Sequence, residues 1–185
     1  MVKKEIKNWI FDIGFVLLLA IGINYLITGT KVQGNSMVPT LSHGDLLIML
    51  NSKKIDRGDI VIIDTDMVVS AKDLEGLNIL TRLKMGKTKE IVKRVIAIEG
   101  DSLIIKDGKV LVNGQELEEN YINGKNTWGD IDIDRIPENK IFVMGDNRDR
   151  SLDSRDSQIG LVDLEDVKGK IVLRLYPFNK FGIIK

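Results

Sequence analysis

Ser36 is the first residue of this sequence whose surroundings suggest chemistry, because it lies between Gly34 and Pro39 in the segment GNSMVPTL over residues 34–41. Glycine permits unusual backbone dihedrals and proline fixes its own, so neither a helix nor a regular strand is expected here. A hydroxyl on such irregular backbone can face a cleft and act as a nucleophile. An isolated serine in this setting is more often a turn residue that hydrogen-bonds its own backbone, so Ser36 needs a partner that activates it.

Lys93 is the candidate partner, because it lies in the predicted strand IVKRVIA over residues 91–97. With the two-residue period of a strand, Lys93 shares one face with Ile91, Val95 and Ala97. Burial on an apolar face disfavours the charged ammonium and therefore lowers the pKa of a lysine. A neutral amine near Ser36 could accept the hydroxyl proton and so create a serine nucleophile without histidine. The alternative is an edge-strand lysine whose amine reaches water.

The segment GDNRDRSLDSR over residues 145–155 is a third candidate region, because it places many polar side chains directly after a predicted buried strand. Such a segment is either a solvated loop or a hydrogen-bonded network beside a site. Within it, Asp153 and Arg155 could form an ion pair, and Ser151 could help to hold the lysine amine. Taken alone, the segment favours the solvated loop.

The composition argues against several other classes of function. Lys+Arg and Asp+Glu both number 27, so the formal net charge is zero, and no basic stripe is interleaved with aromatic residues. Nucleic acid is therefore not an expected partner. The absence of cysteine excludes thiol catalysis, disulfides and cysteine-based zinc sites. A single histidine, His43, argues against a multi-histidine metal site and against a Ser–His pair. We expect neither a cofactor nor a metal.

Residues 9–29 are predicted to form a transmembrane helix that anchors the chain. The segment is almost wholly apolar apart from Asp12 and Asn24, and about 20 such residues are needed to cross a hydrocarbon core. More lysines precede the segment than follow it closely, which predicts a cytoplasmic N-terminus over residues 1–8 and an extracytoplasmic remainder. A cleaved signal peptide is the alternative, although no small-residue cleavage site follows the apolar run.

Residues 30–185 are predicted to form a β-rich, extracytoplasmic catalytic domain. Short apolar runs bounded by turn residues are typical of buried strands, and they occur at residues 46–50, 60–63, 91–97, 102–105, 109–112, 140–144 and 170–176. Asp107-Gly108 predicts a type I′ hairpin, and residues 120–139 predict a loop. We expect two antiparallel sheets in a closed or partly closed barrel. Residues 64–90 are predicted to be a surface insertion, with an amphipathic helix over residues 70–85.

Four segments occur together in the order found in one enzyme family. They are GNSMVPTL at residues 34–41, RGDIV at 57–61, VKRVIA at 92–97, and GDNR through SR at 145–155. With these segments and its N-terminal apolar run, the chain closely resembles the bacterial type I signal peptidases of the single-span, Gram-positive-like form. The resemblance covers nearly the whole chain. It implies a membrane-bound serine endopeptidase that uses a Ser–Lys dyad to cleave signal peptides from secreted preproteins.

The resemblance also implies roles for individual residues. Ser36 would be the nucleophile and Lys93 the general base, and a supporting set would consist of Ser151, Asp153, Arg155 and Asp146. Met37 and Pro39 would lie at the substrate cleft. The backbone N–H of Ser36 would hold the oxyanion. Some members place a serine two residues before the nucleophile, but the residue there is Gly34, so the second oxyanion donor is left open.

The expected partners are the signal peptides of preproteins and the lipid bilayer, and the chain is expected to act as a monomer. An extended substrate would add as a strand along the cleft. One alternative is a self-cleaving Ser–Lys protein of the repressor type, which would need a helical DNA-binding domain. Another is a non-catalytic, membrane-anchored β-domain that binds peptides. That second alternative would require Ser36 and Lys93 to lie far apart, so the distance between them tests it.

Overall fold

The chain begins with a long helix, α1, which spans Val2–Leu26 in the computed structural model; residues 2–69, 86, 88–122 and 127–184 are described. The helix ends where the run ITGTK begins at Ile27. Ile and Thr are β-branched and glycine is a poor helix former, so this run favours extended backbone. The predicted helix therefore stops at Leu26 rather than near residue 29, and the next residues form a strand.

The large apolar side chains of α1 that are described, between Trp9 and Leu26, are exposed. Trp9 and Leu18 are each 70% exposed, and Phe11 is 74% exposed. None of the described helices combines the length with the apolar character that a membrane crossing demands. The transmembrane anchor predicted over residues 9–29 is therefore not confirmed.

Twelve strands are described, and they form two antiparallel sheets. They are β1 (Ile27–Lys31), β2 (Leu46–Leu50), β3 (Ile60–Val68), β4 (Thr88–Ala97), β5 (Leu103–Lys106), β6 (Lys109–Val112), β7 (Gln115–Glu116), β8 (Ile131–Ile133), β9 (Lys140–Met144), β10 (Val162–Asp163), β11 (Val167–Tyr176) and β12 (Gly182–Ile183). The larger sheet has the order β1-β2-β11-β3-β4-β9-β10, with β12 paired to β11. The smaller sheet has the order β7-β6-β5-β8.

The mainly β, two-sheet antiparallel architecture agrees with the prediction, but the barrel does not. Among the described strands, β1 and β10 lie at opposite ends of the larger sheet and do not pair with each other. The smaller sheet likewise has two separate edges, at β7 and β8. Among the described strands both sheets are therefore open, and the closed barrel that was one of the predicted forms is not found.

The apolar core consists of three clusters, two of which position the candidate site. One joins the two sheets and contains Ile96, Phe142 and Met144 from the larger sheet with Leu103, Ile105 and Val110 from the smaller one. A second packs the segment after β1 against the larger sheet through Met37 and Leu41. Burial of one such side chain contributes about 1.5–3 kcal/mol. The segment that carries Ser36 is therefore held by its own apolar residues.

The hairpin at Asp107-Gly108 is confirmed. Its two residues have φ angles of 51° and 80°, and a type I′ turn requires positive φ at both positions. The predicted loop over residues 120–139 is only partly irregular, because β8 lies within it. Strands also enter both ends of the predicted insertion over residues 64–90, and residues 70–85, where a helix is predicted, lie outside the described residues.

Candidate active site

Ser36 lies in a turn segment between β1 and β2. Gly34 adopts a φ of 85°, a left-handed conformation that favours glycine, and its N–H donates to Nδ1 of His43 at 3.2 Å. Met37 is 1% exposed and packs into the core. The carbonyl oxygen of Ser36 accepts the backbone N–H of Asn147 at 2.9 Å. These contacts fix the backbone on both sides of the half-buried Ser36.

Lys93 lies in β4 and reaches Ser36 through its side chain. The Nζ of Lys93 is 2.9 Å from the Oγ of Ser36, within hydrogen-bond distance, and Lys93 is only 3% exposed. Burial is the largest influence on the pKa of Lys93 and lowers it to about 8. The charges of Asp153 and Asp146 raise this pKa, and the charge of Arg155 lowers it. About a tenth of this amine is therefore uncharged at pH 7, far more than for an exposed lysine.

Asp153 and Arg155 form the ion pair predicted from the sequence. Nε of Arg155 donates to Oδ1 of Asp153 at 2.8 Å, and Nη2 donates to Oδ2 at 3.0 Å. The N–H of Gly145 donates to Oδ2 at 3.0 Å. Burial alone would raise the pKa of Asp153, but the hydrogen bonds and charge of Arg155 and the Gly145 N–H hold it below its ordinary value. Asp153 is therefore a buried carboxylate that acts on the charge of Lys93.

Gly145 lies between Ser151 and the backbone of Ser36. A Cβ at position 145 would lie 2.2 Å from Oγ of Ser151 and 2.4 Å from the carbonyl oxygen of Ser36, so only glycine fits. The Ser151 hydroxyl is buried and has no hydrogen-bond partner within the described residues. It lies close enough to Asp153 to help lower the pKa of that carboxyl. Ser151 thus lies at the site, and its predicted hold on the lysine amine stays a prediction.

Asp146 is fully buried and links two segments of the site. It accepts hydrogen bonds from Nε of Arg94 at 2.9 Å and from Nη2 of Arg94 at 2.8 Å. The hydroxyl of Thr40 donates to the same carboxylate at 2.5 Å. Arg94 follows Lys93 in the chain and Thr40 lies four positions after Ser36. Asp146 therefore ties the strand of Lys93 to the segment of Ser36.

A cleft of about 610 Å³ opens beside Ser36 and Lys93. One wall is the first part of β4, Thr88 to Lys93, which pairs with β3 on one edge. Strand β9 pairs with β4 only from Arg94 onward. Over Glu90 to Lys93, no described strand pairs with the second edge of β4. An unpaired strand edge beside a serine and a lysine can bind an extended peptide through main-chain hydrogen bonds.

The two predicted cleft residues, Met37 and Pro39, follow Ser36 closely in the chain. Met37 packs with Leu41 in the core, where its apolar side chain is removed from water. Pro39 is exposed, and neither residue is among those that line the cleft.

No group of three or more His, Cys, Asp or Glu side chains within the described residues is arranged to hold a metal ion.

Arg94, Thr40 and Asn147 belong to the site but were not predicted as site residues. The sequence could have indicated Arg94, because an arginine inside a buried strand needs a carboxylate partner. Asp146, which follows a neighbouring strand, is that partner. Asn147 holds the segment of Ser36 through its side chain as well, because its Nδ2 donates to the carbonyl of Asn35 at 3.0 Å. These contacts join residues that are distant in sequence, so no local pattern indicates them.

A buried amine of lowered pKa in contact with a hydroxyl is an arrangement that can activate a serine nucleophile. Residues 6–176 match the family described as signal peptidase, peptidase S26. The chain belongs to this family. This S26 peptidase is therefore a hydrolase. The alternative of a non-catalytic peptide-binding domain required Ser36 and Lys93 to lie far apart, and their 2.9 Å distance contradicts that requirement.

Several relatives of this S26 peptidase are similar to it over nearly their full length. Signal peptidase I of Bacillus licheniformis is 33% identical over 192 residues, which cover 96% of this chain and 92% of that protein. Signal peptidase IB of Staphylococcus aureus strain COL is 30% identical over 202 residues, which cover 97% of this chain and 94% of that protein. The crystal structure of a signal peptidase I from Enterococcus faecalis V583 aligns with 25% identity and a TM-score of 0.44, over 63% of this chain and 96% of that chain.

Proposed function

We propose that this S26 peptidase removes signal peptides from preproteins, with Ser36 as the nucleophile and Lys93 as the general base. The observation that supports this most strongly is the 2.9 Å distance between Ser36 Oγ and Lys93 Nζ. Since burial lowers the pKa of Lys93 to about 8, part of the amine is neutral at pH 7 and able to accept a proton.

In the proposed first step, Lys93 Nζ takes the proton of Ser36 as Oγ bonds to the scissile carbonyl carbon. The carbonyl oxygen becomes an oxyanion, and the backbone N–H of Ser36, which makes no hydrogen bond within the described residues, is proposed to donate to it. When the C–N bond breaks, the Lys93 ammonium returns its proton to the leaving amine. Water, deprotonated by Lys93, then hydrolyses the acyl-enzyme ester and restores the Ser36 hydroxyl.

The supporting residues are proposed to hold the amine of Lys93 and tune its charge. Asp153 raises the pKa of Lys93 and so limits the effect of burial. Arg155 holds the Asp153 carboxylate with two hydrogen bonds. Ser151 is proposed to hydrogen-bond the amine when the substrate is bound. Asp146 keeps the segments of the two dyad residues in register through Arg94 and Thr40.

The proposed substrate lies as an added strand along the edge of β4 over Glu90 to Lys93, with which no described strand pairs. This edge leads directly to Lys93, so the scissile bond of an extended peptide can reach Ser36. Main-chain hydrogen bonds give affinity in such an arrangement, and side-chain subsites give specificity. We expect small residues before the cut, as in the C-terminal part of a signal peptide.

Helix α1 is proposed to attach the peptidase to a lipid bilayer, with residues 1–8 in the cytoplasm and the catalytic domain outside. Exposed apolar side chains along α1, such as Phe11 at 74% and Leu18 at 70%, would be covered by lipid. Both dyad residues come from the same chain, so a monomer is sufficient for the chemistry.

The experiment is incubation of the detergent-solubilised full chain with a preprotein, followed by mass spectrometry of the product N-terminus. The wild type is expected to produce one new N-terminus, directly after the signal peptide. Ser36→Ala should produce none, whereas Ser157→Ala, which changes an exposed serine outside the site, should match the wild type. Undiminished cleavage by Ser36→Ala would contradict the proposal.

A further inference from the structure

A segment of the smaller sheet reaches into the site described above. The residues that follow β7 include Glu119, whose carboxylate accepts two hydrogen bonds from the guanidinium of Arg148. Nη1 of Arg148 donates to Oε2 at 2.8 Å, and Nη2 donates to Oε1 at 2.5 Å. The side chains of Arg148 and Glu119 are 1% and 9% exposed. The hydroxyl of Thr127 also contacts Nη1 of Arg148. This is a buried, two-bond ion pair between residues 29 positions apart.

Arg148 connects this ion pair to both parts of the predicted catalytic machinery. Its Nε donates to the carbonyl oxygen of Gly145 at 3.1 Å, and Gly145 in turn touches the Ser36 backbone. Its own carbonyl oxygen accepts Nη2 of Arg155 at 2.7 Å, and Arg155 holds Asp153. A displacement of Arg148 would therefore move the packing beside the serine and the ion pair beside the lysine.

Tyr121 provides a second connection from the same segment. Its hydroxyl donates to Oε1 of Glu119 at 3.0 Å. The guanidinium of Arg94 lies 4.0 Å from the centre of the Tyr121 ring, a cation–π contact. Arg94 adjoins Lys93 in β4 and binds Asp146. Burial raises the pKa of Tyr121, with Glu119 adding to the effect, so the hydroxyl keeps its proton to higher pH than that of an exposed tyrosine.

We propose that Glu119 is a positioning residue for the Ser36–Lys93 dyad, acting through Arg148. This inference rests on the proposed function, because it assigns a task in that reaction. A buried ion pair contributes little net stability, since desolvation offsets much of the attraction between the charges. Its geometry is specific, however, because a planar guanidinium and a carboxylate joined by two hydrogen bonds define one orientation. Glu119 thus fixes the 145–155 segment in the arrangement that catalysis needs.

The test compares Glu119→Gln with Glu116→Gln in the full chain, using a preprotein or a signal-peptide substrate. Glu116 is a matched control because its side chain is 57% exposed, it lies on β7 three positions before Glu119, and its ion pair within the described residues is with the exposed Lys109. We expect Glu119→Gln to lower kcat by about tenfold or more with little change in KM, since small misplacements of reacting groups reduce the rate. Glu116→Gln should leave both constants unchanged. Glu119→Asp, which keeps the charge, should recover part of the lost kcat.

Two further readouts separate positioning from general destabilisation. A loosened segment admits water to Lys93, so the pH at which kcat/KM rises should move upward in Glu119→Gln. The same upward shift should appear in a carbon-13 NMR titration of the Lys93 Cε, which requires no turnover. Circular dichroism at the assay temperature checks folding. If Glu119→Gln is unfolded, Glu119→Asp is tested instead. We expect its kcat to be measurable but lower than that of Glu116→Gln.

The outcomes are distinct for the two proposals. A wild type that cleaves no signal peptide would refute the proposed function, and the NMR titration would still report whether Glu119 governs the surroundings of Lys93. An active wild type with a folded Glu119→Gln whose kcat and Lys93 titration both match those of Glu116→Gln would overturn the positioning role. A rise in KM alone, with kcat unchanged, would also overturn it.

Discussion

Lys93 Nζ and Ser36 Oγ lie 2.9 Å apart although the two residues are 57 positions apart in the chain. The contact depends on β4, which carries Lys93, and on a turn segment that the core holds through Met37 and Leu41. Asp146 joins the two by binding Arg94 and Thr40. The proposed catalysis therefore relies on several long-range contacts that act together, and each of them can be tested separately.

Lys93→Arg should be nearly inactive although the positive charge is kept. A guanidinium stays protonated in proteins and cannot take the proton of Ser36. We expect a loss of about 10²–10⁴-fold in kcat, the range for a lost general base. Lys168→Arg is the control, because Lys168 is a partly exposed lysine that pairs with Glu90. Initial rates of preprotein cleavage decide the question, and an active Lys93→Arg would mean that only the charge matters.

Gly145→Ala should lose activity without a change in any ionisable group. The added methyl would lie 2.2 Å from Ser151 Oγ and 2.4 Å from the Ser36 carbonyl, so the Ser36 backbone has to shift. We expect kcat to fall by about 10²-fold, as for other displacements near 1 Å. Gly14→Ala is the matched control, because a Cβ there would meet no described atom within 4 Å apart from its chain neighbours and the nearby backbone of its own helix. Equal kcat values for the two variants would show that Ser36 tolerates the displacement.

Parts of this fold follow from local sequence. Asp107 and Gly108 predict their hairpin because both adopt positive φ, which few other residues accept. Strand β8 was missed because only three residues, Ile131 to Ile133, form it, and they extend only by pairing with β5. The open sheets could not be predicted either, because closure depends on which strands become edges.

The candidate site divides in the same way. Ser36 and Lys93 could be selected from sequence because each lies in a segment with a distinct pattern of glycine, proline or apolar alternation. Met37 was placed at the cleft because it adjoins Ser36, but an apolar side chain gains more from burial in the core. The Glu119–Arg148 ion pair gave no signal, since charged residues in a polar stretch usually face solvent.

Asp153→Asn should shift the pH profile of kcat/KM toward lower pH while reducing kcat. Asp153 raises the pKa of Lys93 and Arg155 lowers it. Loss of the carboxylate leaves the arginine charge uncompensated, so the amine loses its proton at lower pH. The reduced kcat reflects an amine that is no longer held in place. Rates measured from pH 5 to about 10, the range over which lysine of shifted pKa titrates, reveal the shift. A shift toward higher pH would contradict the sign of this interaction.

Lys93→Met should make the protein more stable than the wild type at neutral pH. The folded pKa of Lys93, about 8, lies below its ordinary value of 10.5. Between these values the unfolded chain binds more protons, so the contribution of Lys93 to stability rises with pH through that window. The stability difference between variant and wild type should thus shrink by about 3 kcal/mol from pH 7 to pH 10.5. Urea unfolding at several pH values measures it, and a difference that does not vary with pH would show that Lys93 is not desolvated.

The pH dependence of kcat/KM under single-turnover conditions tests the central claim most directly, because it reports the group that must lose a proton before Ser36 can attack. With Lys93 as the base, the rate should increase about tenfold per pH unit below the pKa and level off above it. The account predicts that this change falls near pH 8, the pKa to which burial lowers Lys93. A rate that stays constant between about pH 6 and 9, with the chemical step limiting, would show that Lys93 is not the base.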